Sequence, residues 1–242
     1  MCREDGGMKR SLIVILIALL VVAVSGIASA EEQEGGVEVE AGVKAWYNSW
    51  KNQDPDPAEG TKKFDAALLV GPAVEVKLPQ HFYVEGSYLI STNDYEYSYF
   101  GLNLTSDRKD LDLAAGYRII PELAVFIGYK DSKMDWDFAG LTSGSFDLRG
   151  PFVGVRGDVP VNETISIYAS ALYQKTKLES TAVGELTTNH DSPGTVFELG
   201  VRAAFNKELS GTLGYKIEST KEDVTNVKDT FDGLTLGVMY AF

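Results

Sequence analysis

Two histidines, one cysteine and a few paired acids are the residues of this chain that could act on a substrate or hold a metal. His190 offers the most. In Asn189-His190-Asp191-Ser192 an imidazole stands beside a carboxyl and a hydroxyl, the residue types of a general base and a nucleophile. Neighbours in an extended chain point to opposite faces, however, so Asp191 does not orient the ring, and no second set of partners is visible. His81 belongs to a short turn, Pro79-Gln80-His81. Asp94 with Glu96 and Asp135 with Asp137 are period-two carboxylates without a His/Cys cluster, which reads as solvated acid rather than a metal site. Asn103-Leu104-Thr105 and Asn162-Glu163-Thr164 match a glycosylation acceptor, a motif short enough to recur by chance. The expectation is a non-enzymatic protein with no catalytic, cofactor or metal site; a hydrolase using His190 is the alternative.

The other charged residues make sense only once the elements that carry them are drawn. From residue 35 onward apolar and polar residues alternate with period two, the pattern of strands. Short breaks fall at Pro79-Gln80-His81, Pro121-Glu122, Pro160-Val161-Asn162-Glu163 and Asn206-Lys207-Glu208. Longer polar breaks fall at about 51–63, 93–108, 135–147, 179–193 and 222–230. Four turns and five loops separate ten strands, with eight as the alternative. The hairpins repeat in residue type: Glu122–Lys130 matches Glu208–Lys216, and Gly116-Tyr117-Arg118 recurs as Gly154-Val155-Arg156 and Gly200-Val201-Arg202. Such repetition suits an up-and-down meander. Gly71-Pro72 and Gly150-Pro151 interrupt equivalent strands, where a bulge near one rim is expected.

Alternation alone does not say which face is outside. Three features favour apolar-out. The final residues Leu234, Leu236, Val238, Tyr240 and Phe242 fall on one face, and the chain stops there, mid-strand. Phe82, Phe205, Tyr240 and Phe242 lie near the short turns, while Tyr88, Tyr129, Tyr173 and Tyr215 lie towards the long loops, forming two belts. Small residues (Gly116, Gly128, Gly154, Gly200, Gly214, Gly237) occupy the polar face and relieve crowding inside a narrow barrel.

The inward face then carries acids Glu38, Glu40, Glu75, Glu85, Asp110, Asp112, Asp158, Glu198 and Glu218, and bases Lys44, Lys77, Arg118, Lys130, Arg156, Arg202 and Lys216. A lumen of ten strands is only slightly wider than one that side chains fill at about eight. An unpaired buried charge is costly, so these charges must pair across it. The expected network comprises Glu38, Glu40, Lys77, Glu85, Arg118, Arg156, Glu198 and Arg202, with Glu85 reaching Lys77 or Arg118. A plugged lumen follows; a narrow porin-like channel for ions or small solutes is the alternative.

At the amino terminus, Lys9 and Arg10 precede an apolar run from Leu12 to about Val24, and Ala28-Ser29-Ala30 follows. This is the layout of a signal peptide covering 1–30, leaving 31–242 as a single domain. Cys2 would be lost with it, and so would any disulfide. The formal charge of −13 would become −14, since 1–30 holds three bases and two acids. Such acidity argues against nucleic acid as a partner.

From about residue 35 to 242 these features resemble the small bacterial outer-membrane β-barrel superfamily, which includes the transmembrane domain of OmpA-like proteins. The resemblance implies an all-β, transmembrane, antiparallel up-and-down barrel in a Gram-negative outer membrane. It also implies that Leu234, Leu236, Val238, Tyr240 and Phe242 form the assembly signal. The implied partners are membrane lipid and lipopolysaccharide, together with the barrel-assembly machinery and periplasmic chaperones. The chain is expected to be a monomer with a structural or surface-interaction role. It ends at Phe242 without a periplasmic domain, so the peptidoglycan-binding role of OmpA-like proteins is not carried over.

Overall fold

A computed structural model describes residues 36–99, 101–184 and 186–242; the expected signal segment lies outside the described residues. The chain forms β1 (Glu38–Gln53), β2 (Thr61–Lys63), β3 (Ala67–Lys77), β4 (Phe82–Ser91), β5 (Tyr95–Tyr99), β6 (Leu102–Ile120) and β7 (Leu123–Phe138). It continues with β8 (Thr142–Pro160), β9 (Ile165–Gln174), β10 (Lys177–Ala182), β11 (Thr188–Asp191), β12 (Gly194–Ala204), β13 (Leu209–Lys221) and β14 (Lys228–Ala241). Every pairing is antiparallel, each of the ten staves pairs with the staves before and after it in the chain, and β1 closes on β14 from Glu40↔Ala241 to Gln53↔Lys228. The result is a closed ten-stranded up-and-down barrel with short extra strands beyond it. Closure leaves no sheet edge, the condition for a β-structure to survive in hydrocarbon.

Two of the four extra strands, β10 and β11, continue barrel staves. Pairing of β9 with β12 (Gly194↔Gln174) and of β10 with β11 (Lys177↔Asp191) keeps one register, so β9–β10 and β11–β12 are two long strands, each briefly interrupted. The interruptions face Gly150-Pro151, where the Lys175 N–H donates to the Pro151 carbonyl at 2.9 Å. The bulge expected at the Gly-Pro pairs is not there. Val70↔Ile90 and Ala73↔Ser87 share one register across Gly71-Pro72, so the ladder skips a rung without gaining a residue. Glycine precedes each proline because the strands come very close: a Cβ on Gly71 would sit 1.8 Å from the Tyr88 carbonyl oxygen. A register change does occur between β4 (Ile90↔Lys109) and β5 (Tyr95↔Ser106), where strand pairing passes above the barrel wall.

The polar breaks at 93–108 and 135–147 are shorter than the sequence suggests. Strand β6 already begins at Leu102, and β7 and β8 run on to a turn at 139–141. The outward face of these extensions is charged and the buried inward face is also partly polar, as at Ser106 and Arg108, which erases the period-two signal without ending the strand.

The apolar set Leu234, Leu236, Val238, Tyr240 and Phe242 is exposed on the outside, as are Phe82, Phe205, Tyr129, Tyr173 and Tyr215 at the two ends. Beyond Tyr129 and Tyr215 the outside turns charged, with Lys109 donating to Asp135 at 3.0 Å and Arg149 to Asp131 at 3.1 Å. Partial burial alone would raise the Asp135 carboxyl, but hydrogen bonds from Lys109 and Lys133 outweigh it and hold the group below its ordinary range. Inside, rings lie flat over glycines: a Cβ on Gly116 would meet the Tyr83 ring at 2.3 Å, and one on Gly128 the Phe152 ring at 2.2 Å.

The closure seam is almost as tight as the contact at Gly71. A Cβ on Gly42 would sit 1.9 Å from the Val238 carbonyl oxygen, which the backbone fixes in place. Gly42→Val is expected to abolish the heat-sensitive compact band on semi-native gels. Gly157→Ala, whose nearest neighbour is 3.7 Å away, should leave the band intact.

Candidate functional site in the barrel lumen

Inward-pointing residues of all ten staves divide the lumen into three levels. At the turn end, Lys77 on β3 donates to Glu38 at 2.7 Å and to Glu40, both on β1. Arg156 on β8 crosses to β4 and grips Glu85 with one nitrogen at 2.6 and 2.7 Å, while its other nitrogen lies 3.6 Å from Glu75. Arg118 lies 3.9 Å from Glu75 and donates to the Pro121 carbonyl at 3.2 Å. Arg202 faces Asp158 at 3.7 Å. Tyr83 lies between the two arginines, with Arg118 and Arg156 at 5.9 and 5.6 Å from its ring.

Two expectations for this level need correction. Glu85 pairs with Arg156 rather than Lys77 or Arg118, because the longer guanidinium side chain spans the lumen while Lys77 is held by Glu38 and Glu40. Glu198 forms no ion pair with a described residue. Its Oε1 accepts hydroxyls from Tyr168 and Thr235, both at 2.9 Å.

The upper level holds the residue that sequence reasoning missed. Arg108 is about 1% exposed, donates to Asp110 at 2.8 Å and to Glu218 at 3.1 Å, and lies over the Phe231 ring at 4.1 Å. Lys130 reaches Glu218 at 3.3 Å and Asp112 at 3.4 Å, and Ser132 donates to Asp110. Lys216 lies 3.7 Å from Glu218 and 4.1 Å from the Trp46 ring centre. Arg108 is the last residue of a break read as loop. Its parity with Asp110 and Asp112 was the available signal.

An aromatic lid covers this cluster. Trp50 stacks on Phe64 at 3.8 Å and on Phe231 at 5.7 Å, with Tyr95 against both Trp50 and Phe231. Phe64 comes from the stretch after β2, whose amide donates to the Trp50 carbonyl at 2.9 Å. Inward aromatics were not foreseen, because the sequence placed rings in the outer belts. They are inward because a lumen with charge at its waist still has a dry upper end to fill.

His190 sits opposite Leu178 in the β10–β11 pairing, and no described residue hydrogen-bonds its ring. His81 stands at the periplasm-type turn with φ of 70° beside Tyr117. No group of three or more His, Cys, Asp or Glu able to hold a metal exists among the described residues.

A family model described as outer membrane protein beta-barrel domain matches residues 14–242. Among solved structures, the outer membrane protease OmpT of Escherichia coli aligns over 88% of this chain and 99% of its own, at 9% identity and a TM-score of 0.60. Neisserial surface protein A aligns over 87% of this chain and 100% of its own, at 16% identity and a TM-score of 0.43. At such identities the first likeness is one of fold alone. No curated protein sequence matches the chain.

Removing Arg108 leaves the buried Asp110 without an ion-pair partner among the described residues and Glu218 with Lys130 and Lys216 alone. Breaking a buried pair in this way costs about 3–5 kcal/mol. Arg108→Met is expected to lower folding stability by that order in urea titrations of the protein in lipid vesicles, and Lys51→Ala, on the exposed Lys51–Asp232 pair, by no more than about 1 kcal/mol.

Proposed function

We propose that this chain, which belongs to the outer membrane protein beta-barrel domain family, is a non-enzymatic barrel with a sealed lumen that serves a structural or surface-interaction role. Family membership places it in the bacterial outer membrane. The seal is supported by one observation above others: the Arg108, Asp110, Glu218 and Lys130 cluster fills the upper lumen and the Trp50–Phe64–Phe231 stack lies against it, with Arg108 over the Phe231 ring. Ions would have to break buried pairs to pass.

In this reading residues 1–30 are a signal peptide removed on export. The outward apolar band contacts lipid, and the charged ring beyond Tyr129 and Tyr215 meets lipopolysaccharide. The Leu234–Phe242 face is read by the assembly machinery after delivery by periplasmic chaperones, and the finished barrel is a monomer. Surface contacts belong to the hairpins above the membrane, where Tyr97 stacks on Tyr99 at 6.4 Å. A narrow channel is the second reading, favoured by a polar cavity of about 160 Å³ below the Arg108 cluster.

Purified wild-type protein in a planar bilayer is expected to give no ohmic steps. The double variant Trp50→Ala, Phe64→Ala, which removes the lid, should conduct more than wild type. Steady wild-type steps would replace the sealed barrel with the channel. Amino-terminal sequencing of protein taken from outer membranes should begin at Glu31, and a chain still carrying Leu12–Val24 would overturn the cleavage.

A further inference from the structure

The cavity at mid-barrel is walled by Trp46, Gln174, Phe126, Phe152 and seven charged residues. Five of those charges are already paired within the wall: Glu85 and Arg156, and Lys130, Asp112 and Lys216 through the Glu218 cluster. Lys44 and Glu198 form no ion pair with a described residue. Lys44 is solvent-exposed within the lumen. Glu198 uses only Oε1, for Tyr168 and Thr235, and leaves Oε2 without a protein partner.

Two buried neutral groups complete the wall. Gln174 is 0% exposed, yet neither its Oε1 nor its Nε2 has a hydrogen-bond partner. Trp46 is 1% exposed, and its Nε1 is also unpartnered. Buried polar groups left this way are costly, and a polar occupant reached by a small side-chain shift relieves that cost. Register brings the groups together. Lys44 and Trp46 are successive inward residues of β1, and Trp46 lies opposite Thr235, the residue that donates to Glu198.

We infer that Lys44, Trp46, Gln174 and Glu198 form a binding site for a small zwitterionic solute of amino-acid size. Its carboxylate accepts from the Lys44 ammonium, the Trp46 indole N–H and the Gln174 amide N–H. Its ammonium donates to Glu198 Oε2 and Gln174 Oε1. A solute bearing one charge satisfies only half of this wall. The approach is from the turn end: a second cavity of about 90 Å³ shares Lys44, Glu85, Arg156 and Glu198 with the first and extends to Glu40 and Arg202. The upper end is closed by the Arg108 cluster, so the site is a blind pocket rather than a stage of a pore.

Isothermal titration of the detergent-folded full-length mature protein tests this, with glycine and β-alanine as probes and acetate and methylammonium as single-charge controls. Saturable heat with at least one zwitterion, absent for both controls and weakened at least tenfold in Lys44→Met and in Glu198→Gln, is the expected result. The heat-shift gel confirms that each variant has folded. No saturable heat from the folded wild type would mean the cavity holds ordered water alone and would overturn the site. So would equal binding of acetate or methylammonium, or binding unchanged in both variants.

Discussion

Hydrocarbon on the outside governs this molecule. A strand in lipid presents every second side chain to a solvent that accepts no charge, so charges in the spanning region are sent inward. Ten staves give them a lumen too narrow for independent hydration, and most of them then find an opposite charge on a neighbouring or facing strand. The bridges follow that demand. Lys77 takes two acids from the next strand, Arg156 reaches across to Glu85, and Arg108 gathers Asp110 and Glu218. The glycines opposite Tyr83, Phe126 and Phe152 answer the same crowding, since these rings lie flat where the facing residue has no side chain.

The lumen is graded along its length. At the turn end the pairs are partly wet, and the lysine and arginine heads retain some exposure. Towards the surface the pairs become dry and are capped by rings. This gradient lets one narrow tube seal its outer end while keeping a hydrated recess behind the seal. Neither property needs a catalytic group, and the residues best suited to chemistry by type, His190 and His81, lie on the hairpins and turns rather than in the lumen.

Much of this was legible in the residues. Period two gave the expected inward set, and fourteen of its sixteen charges form ion pairs with described residues, Lys44 and Glu198 being the exceptions. The turns at Pro79, Pro121, Pro160 and Asn206 stand where glycine, proline and asparagine put them. What escaped was partner choice, because alternation tells which face a residue takes but not the height at which opposite walls meet. Glu85 and Arg156 lie 71 residues apart, and no local pattern joins them. Arg108 escaped for a related reason. Beyond the membrane both faces of β6 carry polar residues, and its boundary vanished into what looked like loop. The Gly-Pro pairs were read as bulges because proline breaks a ladder; that the register survives depends on a neighbouring strand visible only in three dimensions.

The link between Arg108 and Glu218 joins residues 110 apart in sequence, one on each half of the barrel wall. Such a contact forms only after the wall has curled shut, so it contributes little while the strands are still associating. Interactions missing from the folding transition state act on the rate of escape from the native state rather than on the rate of arrival. The buried cluster therefore works as a latch in time. Once closed, it lengthens the life of the folded barrel, in a compartment beyond the inner membrane where persistence of the native state depends on how slowly it opens.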